Sequence, residues 1–274
     1  MQGKIVLITG ATSGIGNATA IELARQGATL ILTTRDDARG AATKEEITQL
    51  TGNANIEVLH CDLASFTSIR AFTEEFKEKH DHLDVLINNA GTWDFKRRES
   101  ADGIENIFAV NFLAPFLMTN LLLDLLQASA PARIINITSG LHSGTIHFED
   151  IEFKRKFSGF KAYSQSKLAL ILFTRILAKK LEGTGVVVNC VHPGLNRTDL
   201  GRDSGRVTRW MFQHMGQDPQ KGAETAVYLA SDPAADTVTS EYFVKKQVKK
   251  SSKTSYDMAI AQKLWEVAAK YVGL

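Results

Sequence analysis

Cysteine is scarce in this chain of 274 residues: Cys61 and Cys190 are the two present, each in an apolar stretch and neither in a C-x-x-C pair. That excludes a disulfide framework, argues against a thiolate zinc site and fits a reducing compartment. Proline is sparse as well, with five residues and no Pro/Ser-rich linker, and no repeat or low-complexity tract divides the chain. A surplus of one charge is also missing. Lys and Arg number 32 against 30 Asp and Glu, a formal net charge of +2, which supplies no field of the kind that draws a nucleic acid. No run approaches the roughly twenty apolar residues of a membrane span. The start, Met1-Gln2-Gly3-Lys4-Ile5, enters a strand-like pattern at once instead of a signal peptide. The seven histidines form no H-E-x-x-H pattern, so no metal site is expected. A cytoplasmic protein with a small-molecule partner, no nucleic acid and no integral membrane segment is the expectation.

What is present is a rhythm. Short apolar, β-branched runs at 4–9, 29–34, 56–61, 83–88, 133–138, 186–192 and 241–244 alternate with helix-length segments at 14–26, 37–51, 65–80, 102–129, 161–182, 219–231 and 256–271. Near-continuous hydrophobic strands separated by helices predict an α/β fold: a doubly wound, seven-stranded parallel sheet of the Rossmann type in three α/β/α layers, one domain spanning 1–274. Two segments, 140–160 and 195–217, exceed ordinary connections, as lids and binding loops do.

The first strand ends in Thr9-Gly10-Ala11-Thr12-Ser13-Gly14-Ile15-Gly16 and runs straight into a helix. Gly10 permits the turn, Gly14 lets the backbone approach a pyrophosphate, and Gly16 allows the helix to pack closely on the strand; the helix N-terminus supplies free N–H groups. The second strand ends in Thr34-Arg35-Asp36, where a dinucleotide's adenosine ribose should lie. An arginine there accommodates a 2′-phosphate, so NADP is expected. The alternative is that Asp36 or Asp37 turns inward to hold the free hydroxyl of NAD. Further on, Tyr163 and Lys167 stand four residues apart, one helical turn, so both project toward one site. A tyrosine titrates near ~10, and a nearby ammonium stabilises its phenolate and brings that value down. Ser139 closes the fifth strand at its C-terminal end, where ligands of open α/β sheets bind.

On these residues the chain resembles the short-chain dehydrogenase/reductase family. The glycine spacing of Thr9 to Gly16, Asn88-Asn89-Ala90-Gly91, Asn111, Ser139, Tyr163-Ser164-Gln165-Ser166-Lys167, and Pro193-Gly194 with Thr198 occur in the family's order. The resemblance implies Tyr163 as general acid/base, Lys167 as the group that lowers its pKa and holds the nicotinamide ribose, Ser139 on the substrate oxygen, and Asn111 holding a proton-relay water. It also implies cofactor contacts from Gly10, Ser13, Gly14, Ile15, Gly16, Arg35, Asp62, Leu63, Asn89, Ala90, Gly91, Thr138, Pro193, Gly194 and Thr198, with Asp62 on the adenine. Asn196 stands where the family usually carries a branched apolar residue.

The long segment between Ser139 and Tyr163, with Leu141, Ile146, Phe148, Ile151, Phe153, Phe157 and Phe160, looks like the retinol dehydrogenase branch. That branch suggests NADP and a bulky apolar alcohol or carbonyl. The segment around 195–217 stands where the resemblance implies the family's substrate loop, and its Trp210, Met211, Phe212 and Met215 either line a pocket or only seal the edge of the fold or a subunit contact. His142 either touches substrate or is a solvated loop residue. The basic run Lys245, Lys246, Lys249, Lys250 and Lys253 is expected as a solvated sheet edge, with an anionic membrane face as the alternative. A homodimer or homotetramer is compatible with the long apolar helices, as is packing on the sheet. Beside the oxidoreductase stand a catalytically idle NADP-binding regulator, against which the Ser139, Tyr163 and Lys167 set argues, and a nucleotide-sugar epimerase, for which too little chain follows Gly194.

Overall fold

The computed structural model describes residues 1–194 and 218–274. Eight strands form one sheet in the order β3-β2-β1-β4-β5-β6-β7-β8: β1 (Ile5–Ile8), β2 (Thr29–Thr34), β3 (Ile56–His60), β4 (Val85–Asn88), β5 (Ala132–Ile137), β6 (Val186–His192), β7 (Tyr242–Val244) and β8 (Gln247–Val248). Strands β1 to β7 are parallel, as the buried hydrophobic runs require, and sequential order reverses between β1 and β4.

Alternation along each strand divides the core. Ile5, Leu7, Ile31, Leu86 and Ile134 point to one face; Val6, Ile8, Leu30, Leu32, Val85 and Ile87 point to the other. The first face is covered by α3 (Phe66–Lys79), by the helical stretch through α4 (Asn106–Phe108), α5 (Ala114–Leu121) and α6 (Leu123–Ala128), by α7 (Gly159–Lys180), and by α9 (Met258–Val272). The second is covered by α1 (Gly14–Arg25), α2 (Asp37–Thr51) and α8 (Pro219–Ser231). Caps set several boundaries: Asp36, Ser65, Asp218 and Asp257 each accept a backbone N–H at the start of a helix.

Two elements differ from the expectation. An eighth strand, β8, pairs antiparallel with β7 through a turn whose residues Lys245 and Lys246 have φ of 50° and 61°. Such a hairpin turn ordinarily carries Asn-Gly or Gly, so a Lys-Lys pair hides it. The Lys246 N–H donates to Thr225 Oγ1 at 3.1 Å and holds the turn.

The second difference is in the 102–129 segment, which is not one helix. A π-helical turn, Ala109–Leu113, interrupts it, with Ala114 N–H donating to Ala109 O. Pro115 follows one residue after it, in the first turn of α5. Having no N–H, it removes the bond that Asn111 O would accept in an α-helix, and a wider turn is the local solution. The same turn holds Asn111, which is fully buried behind the lining of the candidate site.

Candidate active site

A cleft of about 850 Å3 runs along the C-terminal edge of the sheet, across the reversal between β1 and β4. Topology alone places a ligand there, because helices on opposite faces diverge at that point. Gly10, Gly14 and Gly16 line it at the β1–α1 turn. Gly10 and Gly14 adopt φ of +67° and +58°, which favour glycine. A Cβ at Gly16 would meet Gly10 O at 2.4 Å, so no side chain fits between α1 and the turn. The turn is tied to β4. Asn89 Nδ2 donates to Thr9 O at 2.8 Å and Gly10 O at 3.1 Å, while Thr9 Oγ1 accepts from the N–H groups of Asn89 and Ala90, both at 3.0 Å. Ser13, at the start of α1, spends no side-chain bond on capping, and no acid occupies the first turn. The backbone N–H groups and positive end of α1 therefore face an anion's position, the chemistry a pyrophosphate requires.

Toward the β2 end, Arg35, Asp36 and Arg39 line the same cleft. Asp36 spends its side chain on the Arg39 N–H at 3.1 Å, and Asp37 pairs outward with His60 Nδ1 at 3.1 Å. Asp62 and Leu63 line it beyond β3. Asp62 Oδ1 accepts from Ala64 N at 3.0 Å, which shapes the turn. Glycine cradle, arginines and turn together fit a dinucleotide.

At the other end Asn89, Ala90, Gly91, Thr138, Ser139, Tyr163, Lys167, Pro193 and Gly194 line the cleft. Tyr163 and Lys167 leave α7 on one face, as their spacing predicts, with Lys167 Nζ 5.7 Å from the Tyr163 ring centre. Lys167 Nζ donates to Ile137 O at 3.0 Å. Its burial brings the ammonium down to about 8, with nothing ionic in opposition. The Tyr163 hydroxyl is pushed up to about 12, because burial outweighs its hydrogen bond with the Ser139 hydroxyl. The expected direction for Tyr163 is thus reversed in the protein alone: desolvation of the phenolate is the larger effect, and the lysine ammonium is not a resolved cause of the shift.

Asn111 is fully buried and its amide is spent. Oδ1 accepts from Thr92 N at 2.7 Å, and Nδ2 donates to Thr92 O at 3.0 Å and Ser166 Oγ at 3.1 Å. Its side chain holds the turn after Gly91 against α7, so any water it holds would sit on its backbone carbonyl. A chain of buried polar groups supports this floor. Asn88 Nδ2 donates to Asn136 Oδ1 at 2.9 Å and Thr119 Oγ1 at 3.1 Å, and Asn136 Nδ2 donates to Thr174 Oγ1 at 2.9 Å.

His142 is neither solvated nor free for a ligand. It is buried; Nδ1–H donates to Ser139 O at 2.8 Å and Nε2 accepts from Ser252 N at 3.0 Å. Burial holds the imidazole below its ordinary value, and both bonds need the neutral ring. With Tyr242 OH donating to Ser139 O at 3.2 Å, it fixes the residue whose hydroxyl faces Tyr163. Replacing His142 by alanine is expected to cost about 2 kcal/mol in chemical denaturation, since two buried hydrogen bonds are lost and Ser252 N–H is orphaned. An unchanged midpoint would show that the histidine is not the latch.

Sequence reasoning missed Arg39, the second arginine in the cleft, and Trp93, whose ring stacks on Tyr163 at 4.5 Å and 13°. An Arg four residues after Arg35 was the available signal for the first; nothing in the pattern marked the second. Of the apolar residues between Ser139 and Tyr163, Leu141 lines the cleft, whereas Ile146 and Ile151 belong to the main core and Phe153 packs with Ile107 beside Tyr163. Thr198, Asn196, Trp210, Met211, Phe212 and Met215, with the rest of the expected substrate loop, lie outside the described residues.

The short chain dehydrogenase profile matches residues 4–207. Among curated proteins, retinol dehydrogenase 14 of Mus musculus is 42% identical over 294 aligned residues that cover 100% of this chain and 87% of the relative. An uncharacterized protein from Mycobacterium Paratuberculosis superposes with a TM-score of 0.82 at 31% identity, over 99% of this chain and 94% of that one. The RhlG/NADP active-site complex of Pseudomonas aeruginosa superposes with a TM-score of 0.70 at 29% identity, over 88% and 94%.

Proposed function

The chain belongs to the short-chain dehydrogenase family, in its retinol dehydrogenase-like branch, an NAD(P)-dependent dehydrogenase acting on CH–OH groups; from that premise we propose that it is NADP-specific, uses Tyr163, Lys167, Ser139 and Asn111 as its machinery, and takes a bulky apolar alcohol or carbonyl compound. The observation that carries this reading is the convergence of Ser139, Tyr163 and Lys167 in the same cleft as the glycine cradle and Arg35. A bound nicotinamide supplies or accepts the hydride. The chain supplies position and protons.

In the reducing direction, the one favoured by a cellular NADPH supply, the Ser139 hydroxyl donates to the carbonyl oxygen and Tyr163 gives its proton as charge develops there. Lys167 would hold a ribose hydroxyl of the cofactor with its ammonium and would steady the phenolate left behind. The proton is replaced along a path that ends at a water on the Asn111 carbonyl. Trp93 covers the ring face of Tyr163, and with Leu141 it gives the substrate end of the cleft an apolar wall. The names of the relatives support a large apolar substrate, and Arg35 and Arg39 in the cleft lining, with Asp37 turned outward to His60, support NADP.

The test is loss of NADPH absorbance beside NADH over aldehydes, ketones and quinones of rising size. Turnover confined to small polar carbonyls would remove the apolar assignment. The pH dependence is also fixed. Lys167 is an ammonium below about 8 and a neutral amine above it, whereas Tyr163, held at about 12, stays a proton donor throughout. For reduction, kcat/KM is expected to be flat from about pH 6 to 7 and to fall as pH rises through about 8. In Lys167→Arg, whose cation persists, that limb should move up by more than about one unit. A wild-type limb above pH 10 would detach it from Lys167.

A further inference from the structure

Beside the catalytic end, two segments carry a surface that the hydride chemistry leaves unused. Residues 95–98 read Phe-Lys-Arg-Arg and residues 153–161 read Phe-Lys-Arg-Lys-Phe-Ser-Gly-Phe-Lys, with no acid in either. The fold presses them together at the cleft. Gly159 meets the Asp94 backbone so closely that a Cβ there would lie 2.0 Å from Asp94 O, and Arg97 Nε donates to Glu152 O at 3.3 Å. Trp93, Asp94 and Arg98 line the cleft wall, and the Phe160 ring lies 6.2 Å from Trp93.

Two properties of this rim stand out. Phe95 and Phe160 are 55% and 51% exposed, although the ring of each lies beside Trp93, at 6.1 and 6.2 Å between centres. Around them Lys96, Lys154, Arg155, Lys156 and Lys161 are exposed. The neighbouring acids offset only part of this. Asp94 and Glu152 are buried against Arg98, Arg97 and Lys154, Glu99 pairs with Arg97 at 2.6 Å, and Asp150 caps the backbone of Lys154 and Arg155, which leaves Lys96, Arg155, Lys156 and Lys161 without an ion pair among the described residues. In a chain whose net charge is +2, this concentrates positive charge around two exposed phenylalanines.

We propose that this rim docks the mouth of the cleft on an anionic phospholipid surface. Cations drawn to lipid phosphates and aromatic rings inserted at the headgroup level are the two signals that together hold a peripheral protein, and neither is strong alone. Charge complementarity selects an anionic over a zwitterionic surface. Docked this way, the cleft opens onto the phase in which an apolar alcohol or aldehyde is dissolved; that consequence rests on the proposed substrate class, but the docking itself does not. The second basic run, Lys245 to Lys253, has none of its residues in the cleft lining, and the exposed large apolar side chains in and beside it, among the described residues, are Val248 and Tyr256 rather than a pair of phenylalanines.

The experiment is co-sedimentation of the full chain, without substrate, on vesicles of phosphatidylcholine alone and of phosphatidylcholine with phosphatidylserine. Partition onto the phosphatidylserine vesicles alone, weakened by salt, is expected. The triple variant Lys96→Gln, Arg155→Gln, Lys156→Gln should lower partition about tenfold or more, and Phe95→Ser with Phe160→Ser should lower it similarly. Both should keep the wild-type melting temperature and the turnover of a small water-soluble aldehyde. Lys245→Gln, Lys249→Gln, Lys250→Gln makes the same charge change elsewhere and should leave partition intact. The proposal falls if anionic vesicles do not bind the chain or if both charge variants lose binding equally, as diffuse attraction would require. Rim-dependent retention on an immobilised acidic protein without any vesicle response would also overturn it, giving the surface to a protein partner.

Discussion

Tyr163→Phe is expected to lower kcat for NADPH-dependent reduction by about 10³-fold, within the range of about 10²–10⁴ that a positioned proton donor contributes, while NADPH binds within about twofold of the wild-type affinity. The change removes one oxygen and nothing else. The ring keeps its stacking on Trp93 at 4.5 Å, and the packing with Ile107, Phe153 and Ala162 is carbon to carbon. The lost partner of the Ser139 hydroxyl is a neutral group at the edge of the cleft, so the stability cost stays near ~1 kcal/mol. Tyr163→Ala would be a poorer test. It opens a cavity under Trp93 and mixes a packing loss into the rate. A Phe variant that retains more than about a tenth of the wild-type rate would mean that another group delivers the proton; Lys167, with its ammonium at about 8, would then be the candidate. Stopped-flow absorbance for the chemical step and fluorescence titration for the cofactor separate the two quantities.

The contrast between Tyr163 and the sheet shows which physics a linear sequence displays. Burial of a parallel strand is local, because every residue of Val-Leu-Ile or Ile-Ile-Asn-Ile must be apolar or paired, so the seven parallel strands were legible. The four-residue spacing of Tyr163 and Lys167 was legible for the same reason, being a property of one helix. The direction of the tyrosine's shift was not. It depends on how deeply the start of α7 is buried, a tertiary quantity, and desolvation of the phenolate outweighs the hydrogen bond with Ser139. Pro115 did carry a local signal for the break before α5, since a proline cannot donate within a helix. Lys245 and Lys246 carried none, because their left-handed backbone is imposed by β7, β8 and Thr225 rather than by their own preference. His142 looked like a loop residue because Ser252, which makes it a latch, lies 110 positions away.

The largest effect on cofactor choice is expected at Arg35. Thr34 Oγ1 donates to Asp36 O at 2.9 Å and accepts from Asp36 N at 3.1 Å, closing the turn after β2 so that Arg35 reaches the cleft. Gly40 lets α2 lie close on the sheet, for a Cβ there would stand 2.6 Å from Val58 Cγ1, and this brings Arg39 alongside. Two guanidinium groups around one subsite suit a 2′-phosphate, while the carboxylates that would prefer a free hydroxyl are committed to the α2 cap and to His60. A charge-assisted contact is worth about 1.5–3 kcal/mol, or roughly 10- to 150-fold in affinity, and an aspartate adds repulsion to that loss. Arg35→Asp should therefore weaken NADPH by roughly 100-fold or more and NADH by less than about threefold, with Arg39→Ala giving about tenfold on NADPH alone. Raising the salt concentration should weaken NADPH more than NADH in the wild type and so compress the difference between the cofactors, because the contact to the 2′-phosphate is ionic and is screened. Equal losses for both cofactors in calorimetric titration would mean that Arg35 shapes the turn rather than reads the phosphate, and NAD would then be the better assignment.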